Sequence, residues 1–239
     1  MIESNILFLQ NNVARKQEAM ISCLEIGLEL KIDFILFQEP WVSRDNSFTI
    51  SHPSYNALLP ESNDIRPRVA IFHRKLSRFQ FCQRNDICQD SDIIIIDILG
   101  TKIKDFQLIN IYNEKSLKES QDDWTIDRAL VNITPSRNTI IGGDFNAHHP
   151  WWNSAISTPI RAQALVSWLE KYEFELLNEP DLPTFYREGM VNKSIIDLVF
   201  ITKRLNQRQT QWEIDPNLAS GADHEVLLYS IQESNMDLV

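Results

Sequence analysis

Ile6-Leu7-Phe8-Leu9 and Asp33-Phe34-Ile35-Leu36-Phe37 are two apolar runs near the start of the chain. Each is short and dominated by large apolar residues, which is typical of a buried β-strand. The stretch between them, residues 14–30, carries Met20 and Leu24 at helical spacing, which predicts an amphipathic α-helix. A strand, a helix and a second strand in this order predict two parallel strands covered by the helix.

Further apolar runs extend this pattern along the chain. Strands are predicted at 69–72, 93–99, 106–112, 139–141, 195–201 and 226–231, and helices at 119–132 and 162–172. Consecutive strands between 69 and 112 stand beside units that alternate strand and helix. This mixture predicts an α/β fold, a layered sandwich of two packed mixed sheets flanked by helices, rather than a barrel. Without a linker rich in Gly, Pro or Ser, one domain over residues 1–239 is expected.

Composition limits the classes of protein that the chain can belong to. With 239 residues, 43% of them hydrophobic, it can bury a sizeable core. It shows neither an N-terminal leader pattern nor an apolar run of about 18 residues, so an intracellular protein outside the membrane is expected. The net charge of −10 argues against nucleic-acid binding through overall charge.

The charges are unevenly distributed. From Arg66 to Arg84 the chain carries six basic residues and no acidic one, with three phenylalanines among them. One interpretation is a surface that follows a phosphate backbone. The other is a solvated strand edge, because charged edges prevent aggregation. The sequence leaves both open.

Polar residues recur where the predicted strands end. The chemistry-bearing members are Asn12, Glu39, Tyr112, Asp144, Asn146, Asp197 and His224. Because groups at strand ends of such sheets converge on one crevice, we expect these side chains to lie together. The segment Gly142-Gly143-Asp144-Phe145-Asn146 is the most informative, since an acid and an amide two residues apart can hold and activate a water beside a phosphate.

Each of these residues also has an ordinary structural explanation. Asn12 could end a strand, Glu39 could be a surface acid, and Tyr112 could be a core aromatic with a solvated hydroxyl. Asp197 is different, because it lies between isoleucines and other apolar residues. A buried carboxylate without a partner is costly, so Asp197 needs one, and His224 is the natural candidate.

Several motifs in the chain resemble those of the endonuclease/exonuclease/phosphatase superfamily, which includes DNase I and the apurinic/apyrimidinic endonucleases. The motifs are Gln38-Glu39-Pro40-Trp41, Gly142-Gly143-Asp144-Phe145-Asn146, Ser194-Ile195-Ile196-Asp197 and Asp223-His224. The continuation His148-His149-Pro150-Trp151-Trp152 is similar to the endonuclease domain of non-LTR (LINE-type) retrotransposon polyproteins. The resemblance covers nearly the whole chain and implies a DNase I-like four-layer sandwich.

The resemblance implies a role for each matched residue. Glu39 would bind a divalent cation with help from Asn12, with Asp223 near the metal. Asp144 would orient or deprotonate the attacking water, Asn146 would position the phosphate or that water, and Tyr112 would donate to a phosphate oxygen. Asp197 would fix the tautomer of His224, which supports the developing negative charge. These oxygen ligands suit Mg²⁺ or Mn²⁺ better than zinc.

A second group of residues is expected to contact DNA. By resemblance, a hairpin at 184–193 helps to select the target. With the basic segment, the predicted DNA-binding residues are Thr184, Arg187, Asn192, Lys193, Ser194, Arg66 and Arg68. A plain exposed hairpin is the alternative for most of the loop. The chain departs from the family pattern at Ala222, where a serine is usual, at Asn113-Glu114 after Tyr112, and at Ala14.

The resemblance implies a metal-dependent phosphodiesterase that nicks double-stranded DNA. The 3′-hydroxyl that it leaves would prime reverse transcription of the element's RNA, so a reverse transcriptase domain and that RNA are expected partners, with nuclear localisation. One alternative is another phosphodiesterase of the superfamily, such as an abasic-site repair nuclease. A second is a catalytically silent DNA-binding module.

Overall fold

Two β-sheets form the centre of the molecule. The computed structural model describes residues 5–61, 65–114, 124–189 and 193–233. Within these ranges the elements are β1 (Asn5–Asn12), α1 (Gln17–Glu29), β2 (Phe34–Gln38), β3 (Tyr55–Leu58), β4 (Val69–Arg74), β5 (Gln80–Gln83), β6 (Ile93–Leu99), β7 (Phe106–Tyr112), α2 (Thr125–Arg128), a 3₁₀ turn (Leu130–Asn132), β8 (Asn138–Asp144), α3 (Gln163–Lys171), β9 (Phe174–Leu176), β10 (Asp197–Thr202), α4 (Lys203–Asn206), β11 (Thr210–Ile214) and β12 (Leu227–Gln232).

Each sheet has six strands in the described part of the chain. The first has the order β11-β12-β1-β2-β4-β3 and the second β5-β6-β7-β8-β10-β9. Strands β1 and β2 are parallel, as are β7 and β8, and the other neighbours are antiparallel. The predicted strand–helix–strand unit is therefore confirmed, and both sheets are mixed.

Three apolar clusters bind the layers together. The central cluster fills the space between the sheets, where Phe8 of β1 meets Phe106 of β7 edge to face at 6.3 Å. A second packs α1 on the outer face of the first sheet, with Met20 fully buried. A third packs α3 and the fully buried Trp152 on the outer face of the second sheet. This arrangement is the predicted four-layer α/β sandwich.

Some predicted boundaries were wrong, for local reasons. The first helix starts at Gln17 rather than at residue 14, because Ala14 and Arg15 have positive φ angles of 48° and 60°, which no helix accommodates. The strand predicted at 139–141 runs from Asn138 to Asp144. The helix predicted at 119–132 falls partly outside the described residues, and its described part is α2 followed by the 3₁₀ turn.

The strand predicted at 195–201 begins two residues later. The N–H groups of Ile196 and Asp197 both donate to the hydroxyl of Thr184, at 3.1 and 3.0 Å. The N–H of Ile196 therefore bonds a side chain instead of a neighbouring strand, and backbone pairing with β8 begins at Asp197. The short elements β3, β5, β9, α4 and β11 were not predicted, because each has at most five residues and few apolar ones.

Two glycines let β8 pass close to its neighbours. A Cβ on Gly143 would stand 2.0 Å from the backbone oxygen of Ile111 in β7. A Cβ on Gly142 would stand 2.3 Å from Oε1 of Gln10, a side chain of the other sheet. The glycine pair thus allows β8 to continue to Asp144 while the two sheets remain close.

Amide side chains bridge the sheets across this close approach. The Nδ2 group of Asn110 in β7 donates to the backbone oxygens of Phe37 and Ala70 in the first sheet, at 3.0 and 2.9 Å. Its Oδ1 accepts from Nε2 of Gln38 at 2.6 Å. Nε2 of Gln10 in β1 donates to the backbone oxygen of Gly143 at 3.1 Å. We call these four bonds the inter-sheet amide contacts.

Replacing Asn110 by leucine is expected to lower the free energy of unfolding by about 2–4 kcal/mol, because buried partners on the other sheet lose their hydrogen bonds. Urea unfolding measures the change. The matched control is Asn132→Leu, since Asn132 is exposed and bonds only to its own turn; its effect should stay within about 0.5 kcal/mol. Equal effects of both substitutions would contradict a bridging role.

Candidate active site

A cleft opens where strand ends of both sheets meet. Its volume is about 440 Å³, and its walls are Asn12, Glu39, Tyr112, Asp144, Asn146, His148, Ile160, Arg161, Phe185, Arg187, Ser194, Ile196 and His224. Asn12 and Glu39 come from the first sheet and its loop, whereas Tyr112 and Asp144 end strands of the second sheet. The predicted convergence of polar strand ends is therefore present.

Asp197 and His224 form a buried pair behind the cleft. Nδ1 of His224 lies 3.0 and 2.9 Å from the two carboxylate oxygens of Asp197, and Asp197 is 1% exposed. The carboxylate thereby orients the ring and leaves Nε2 as the nitrogen available to the cleft. Burial opposes the charged imidazole, but the Asp197 carboxylate outweighs it, and Asp144 and Glu39 add to the effect; together they raise the pKa of His224 to about 9.

Asp197 is held in place from its backbone. Thr184 accepts the Asp197 N–H, and Asn178 donates from Nδ2 to its backbone oxygen at 3.0 Å. The Asn178 Oδ1 also accepts the N–H of Val199 at 2.7 Å. Two buried polar side chains thus fix the strand end that carries the histidine's partner.

Asp144 is a second buried carboxylate. One oxygen accepts from Nδ2 of Asn12 at 2.9 Å, and the other from the backbone N–H of Asn146 at 3.1 Å. Burial and the neighbouring Asp197 raise the pKa of Asp144 to about 7, against the opposing influence of His224. A carboxyl group that titrates near neutral pH is suited to taking a proton from water.

Asn146 is fixed in an unusual backbone conformation. Its φ angle is +44°, in the left-handed region that asparagine tolerates better than most residues. Its Nδ2 donates to the backbone oxygen of Asn113 at 2.9 Å. These constraints hold the Asn146 side chain at the cleft wall, two residues after Asp144.

Glu39 has a similarly constrained backbone. Its φ angle is +46°. Its N–H donates to the backbone oxygen of Arg68, and its backbone oxygen accepts from the N–H of Arg15, each at 2.8 Å. A guanidinium nitrogen of Arg15 lies 3.0 Å from Oε1 of Glu39. Strain of this kind is stored at functional sites.

The hydroxyl of Tyr112 remains protonated at any physiological pH. Burial raises the pKa of Tyr112 far above its usual range, and the nearby carboxylates of Glu39 and Asp144 raise it further. The tyrosine can therefore act only as a hydrogen-bond donor or acceptor in the cleft, and not as an anion.

Oxygen donors suitable for a divalent cation stand at one side of the cleft. Ligand atoms of Asp144, Asp197 and His224 lie within 4.8 Å of one another, but the Asp197 carboxylate and His224 Nδ1 already bond each other. Glu39 and Asn12 are the better candidates beside Asp144. A set of carboxylate and amide oxygens without a thiolate fits a hard cation.

The structure does not bring Asp223 to the cleft wall. The carboxylate of Asp223 accepts from Nε of Arg187 at 2.9 Å, and its side chain is 31% exposed. Arg187 itself lines the cleft. Asp223, which was predicted to lie near a metal, therefore pairs with Arg187 at the rim of the cleft.

The residues predicted to contact DNA fall into different places. Arg187 and Ser194 line the cleft, and Lys193 is exposed, with its ammonium 5.2 Å from the Tyr186 ring centroid. Thr184 is fully buried, so a direct DNA contact is wrong for it, and its hydroxyl supports the backbone at Asp197 instead. Asn192 lies outside the described residues.

The basic segment between Arg66 and Arg84 is mostly neutralised by internal ion pairs. Arg68 is 16% exposed and pairs with the fully buried Asp92 and with Glu114. Arg66 donates to the backbone oxygen of Val42 at 3.3 Å. The remaining arginines of the segment pair with carboxylates: Arg74 with Asp33, Arg78 with Glu233, and Arg84 with Asp86 and Asp97. A structural role fits this segment better than phosphate contact, and Arg68 is not available as a free cation.

Five cleft residues were not among the predicted site residues: His148, Ile160, Arg161, Phe185 and Ile196. His148 and Ile160 exchange backbone hydrogen bonds at 2.9 and 2.8 Å. The Phe185 ring lies 4.6 Å from the His224 ring, between centroids. The His-His-Pro-Trp-Trp motif marked the region of His148 in the sequence, and Phe185 lies in the predicted hairpin at 184–193.

Comparison with known proteins agrees with this architecture. Residues 106–228 match the model of the endonuclease-reverse transcriptase family. The chain belongs to this family. It is accordingly an enzyme of the nuclease type, a hydrolytic phosphodiesterase. No curated protein sequence matches the chain significantly.

Several solved structures have the same fold as this chain. The endonuclease domain of TRAS1, a telomere-specific non-LTR retrotransposon, is 24% identical, with a TM-score of 0.76 over 96% of this chain and 99% of that one. An AP endonuclease from Archaeoglobus fulgidus is 17% identical, with a TM-score of 0.65 over 96% and 100%. A 3′-5′ exonuclease from Neisseria meningitidis is 15% identical, with a TM-score of 0.68 over 95% and 100%. Across residues 5–61, 65–114, 124–189 and 193–233, every helix is too short or too polar to span a bilayer.

In metal-free buffer, the free energy of unfolding is expected to fall by about 1.5 kcal/mol between about pH 7.5 and pH 9. The folded-state pKa of His224 is raised to about 9 from the ordinary 6.5. The ion pair therefore stabilises the fold fully below about pH 6.5 and loses this contribution as the pH rises through about 9. Urea unfolding at several pH values measures the slope.

Two variants assign the slope to the buried pair. Asp197→Asn should abolish it, because a neutral partner no longer favours the imidazolium. Asp223→Asn, one residue before the histidine and bonded to Arg187, should leave it unchanged. A slope that survives in Asp197→Asn would contradict the assignment.

Proposed function

We propose that the chain is a divalent-metal-dependent DNA endonuclease that nicks one strand of a duplex. The observation that carries the proposal is the meeting of Asp144 with the Asp197–His224 pair at one cleft, where the pKa values of Asp144 and His224 are both raised. Asp144, with its pKa near 7, can accept a proton, while His224, with its pKa near 9, remains cationic. A carboxylate and a cationic imidazole in one cleft provide a base and a positive charge at the same pH.

Each residue then has a defined task at a phosphodiester. Asp144 takes a proton from a water whose oxygen attacks the phosphorus, and Asn146 holds that water or a phosphate oxygen. The bond from phosphorus to the 3′-oxygen breaks, and the 3′-oxygen takes up a proton to become a hydroxyl. Tyr112 donates to a phosphate oxygen, and the His224 cation offsets the negative charge that develops there.

Glu39 and Asn12 would hold the cation, which we propose to be Mg²⁺ or Mn²⁺. Such an ion supplies Lewis-acid stabilisation of the phosphate. The fit rests on the hard oxygen donors that converge beside Asp144, and on the constrained backbone that presents Glu39. Glu39 pairs with Arg15 and Asp223 with Arg187, so each carboxylate would exchange an arginine for the cation, and Glu39 is the one at the cleft wall.

Double-stranded DNA is the substrate that the cleft rims favour. Arg187 and Arg161 both line the cleft and bring positive charge to its walls, and phosphates are the dominant targets of such groups in DNA. We further propose that residues 1–239 act as one domain in the nucleus. The 3′-hydroxyl would prime reverse transcription of an element RNA by a reverse transcriptase partner, a role supported by the family to which the chain belongs.

An abasic-site nuclease is the second candidate, because AP endonucleases share the fold. A silent DNA-binding module is less well supported. Such a module would not require buried carboxylates at Asp144 and Asp197 or a polarised histidine, all of which cost stability when they are desolvated.

Supercoiled plasmid incubated with the protein and Mg²⁺ or Mn²⁺ should become open circular, and chelation should stop the reaction. Glu39→Gln and His224→Ala should each reduce the nicking rate by a factor of about 10² or more. Gel electrophoresis of time courses measures the rates. Glu29→Gln, at an exposed position of α1, is the matched control and should nick normally.

The product tests the proposed chemistry, and the preferred substrate distinguishes the candidates. A DNA polymerase should extend it without prior phosphatase treatment, since the break leaves a 3′-hydroxyl. Plain and abasic duplexes are compared in parallel. Much faster cleavage of the abasic duplex would favour the repair nuclease, and an intact plasmid with equal behaviour of wild type and Glu39→Gln would refute the proposed activity.

A further inference from the structure

A cluster of basic side chains lies at the end of the second sheet that is opposite the cleft. Strand β8 enters at Asn138 and reaches the cleft at Asp144, and β10 runs antiparallel from Asp197 to Thr202. Two cavities of about 450 and 500 Å³ adjoin the far strand ends. The first is lined by Arg137, Lys171, Lys203 and Arg204. The second is lined by Arg204, Lys102, Lys104 and Arg208. We call these seven residues the basic pole.

The basic pole concentrates positive charge in an acidic chain. One acidic residue, Glu173, lines the two cavities beside seven basic ones, whereas the whole chain has a net charge of −10. Six of the seven are exposed, and Arg208 is half-buried. Because like charges repel, such a cluster costs energy unless an anion compensates it.

The basic pole differs from the other arginine clusters in its lack of ion pairs. Among the described residues, Arg68, Arg74, Arg78, Arg84, Arg128 and Arg187 pair with carboxylates. None of the seven pole residues forms a salt bridge within the same ranges. Arg208 donates to the backbone oxygen of Glu233 and lies within the field of the Glu233 carboxylate, which pairs with Arg78. The pole therefore has its cations available for a partner.

A phosphate in contact with Asp144 would lie far from these residues. Strand β8 has seven residues and is about 20 Å long at about 3.3 Å per residue. The cleft and the pole lie at opposite ends of that strand. An anion bound at the pole is thus a different segment, or a different molecule, from the one presented to Asp144.

The shape of the surface indicates a flexible anion. Cavities of this volume lie in the range that holds ligands of about nucleotide size. A duplex is stiff and keeps its bases stacked inside, so it would span the cavities without filling them. A single strand can bend its backbone into both and present an unpaired base to an aromatic ring. Tyr172 provides a half-exposed ring at the first cavity. The Lys171 ammonium lies 4.8 Å from the centroid of this ring, and the Trp168 ring packs against it edge to face, so a base would stack there once Lys171 turns to a phosphate.

We propose that the basic pole is a binding surface for single-stranded nucleic acid, separate from the cleft. Phosphates would contact Arg137, Lys203, Arg204 and the cations of the adjoining cavity, and one base would stack near Tyr172. RNA and DNA single strands share this chemistry. The surface would allow the protein to hold a single strand while its cleft acts on a duplex.

The test uses fluorescence anisotropy with labelled strands of about 20 nucleotides in the presence of a chelator. Single-stranded RNA, single-stranded DNA and a duplex of the same sequence are titrated between about 50 and 200 mM salt. The pole variant is Arg137→Gln/Lys203→Gln/Arg204→Gln. The control is Lys31→Gln/Arg44→Gln/Lys75→Gln, which removes the same charge at exposed positions elsewhere.

The pole variant should bind the single strand at least about tenfold more weakly. The slope of its log binding constant against log salt concentration should be shallower by about 2, because each of the three lost phosphate contacts contributes about 0.7. The control should bind as wild type does. Loss in both single-strand arms indicates backbone recognition, and loss in the RNA arm alone identifies RNA as the ligand. Thermal unfolding and plasmid nicking should be unchanged in both variants.

The proposal is overturned if the pole variant keeps the single-strand affinity and salt slope of the wild type. It is also overturned if the pole and control variants lose affinity equally, which would indicate overall charge, or if only duplex binding weakens. Nicking by the wild type is scored separately, so a failure of the pole does not count against the proposed nuclease, nor the reverse.

Discussion

The hydrogen bonds of Asn110 to the opposite sheet are the constraint on which the rest of the structure depends. Apolar packing between the sheets is strong but non-directional, and it would tolerate sliding of one sheet over the other. The Asn110 amide of the second sheet donates to backbone oxygens of β2 and β4 in the first sheet. In the opposite direction, Gln10 of the first sheet donates to a backbone oxygen of β8 in the second. These directional contacts fix the relative position of the strand ends, at a depth where an unmade hydrogen bond is costly.

The cleft is assembled across the same boundary. Asn12 of the first sheet bonds Asp144 of the second, and His224, just before β12 of the first sheet, bonds Asp197 of the second. Neither sheet alone contains a complete set of groups. The raised pKa of His224 depends on this joining, because the Asp197 carboxylate that favours its charged form lies in the other sheet. The raised pKa of Asp144 comes mainly from its burial.

The sequence predicted the architecture well, because long apolar strands carry a strong signal. It also predicted that Asn12, Glu39, Asp144 and His224 would meet, since polar residues ended those strands. The sequence could not distinguish polar residues that support the fold from those that belong to the active site. Thr184 was predicted to contact DNA but supports the backbone, and Arg68 and Asp223 form ion pairs. Such pairings join residues far apart in the chain, and no local pattern encodes them.

The most direct test of the central claim, that the two sheets together build one cation site, is a crystal structure of the protein soaked with Mn²⁺ and examined by anomalous scattering. The account predicts a peak about 2.2 Å from a carboxylate oxygen of Glu39, given the ligand distances of such ions, on the side of the cleft that faces Asp144. A peak held by Asp223 away from Glu39, or none in the cleft at saturating Mn²⁺, would contradict it.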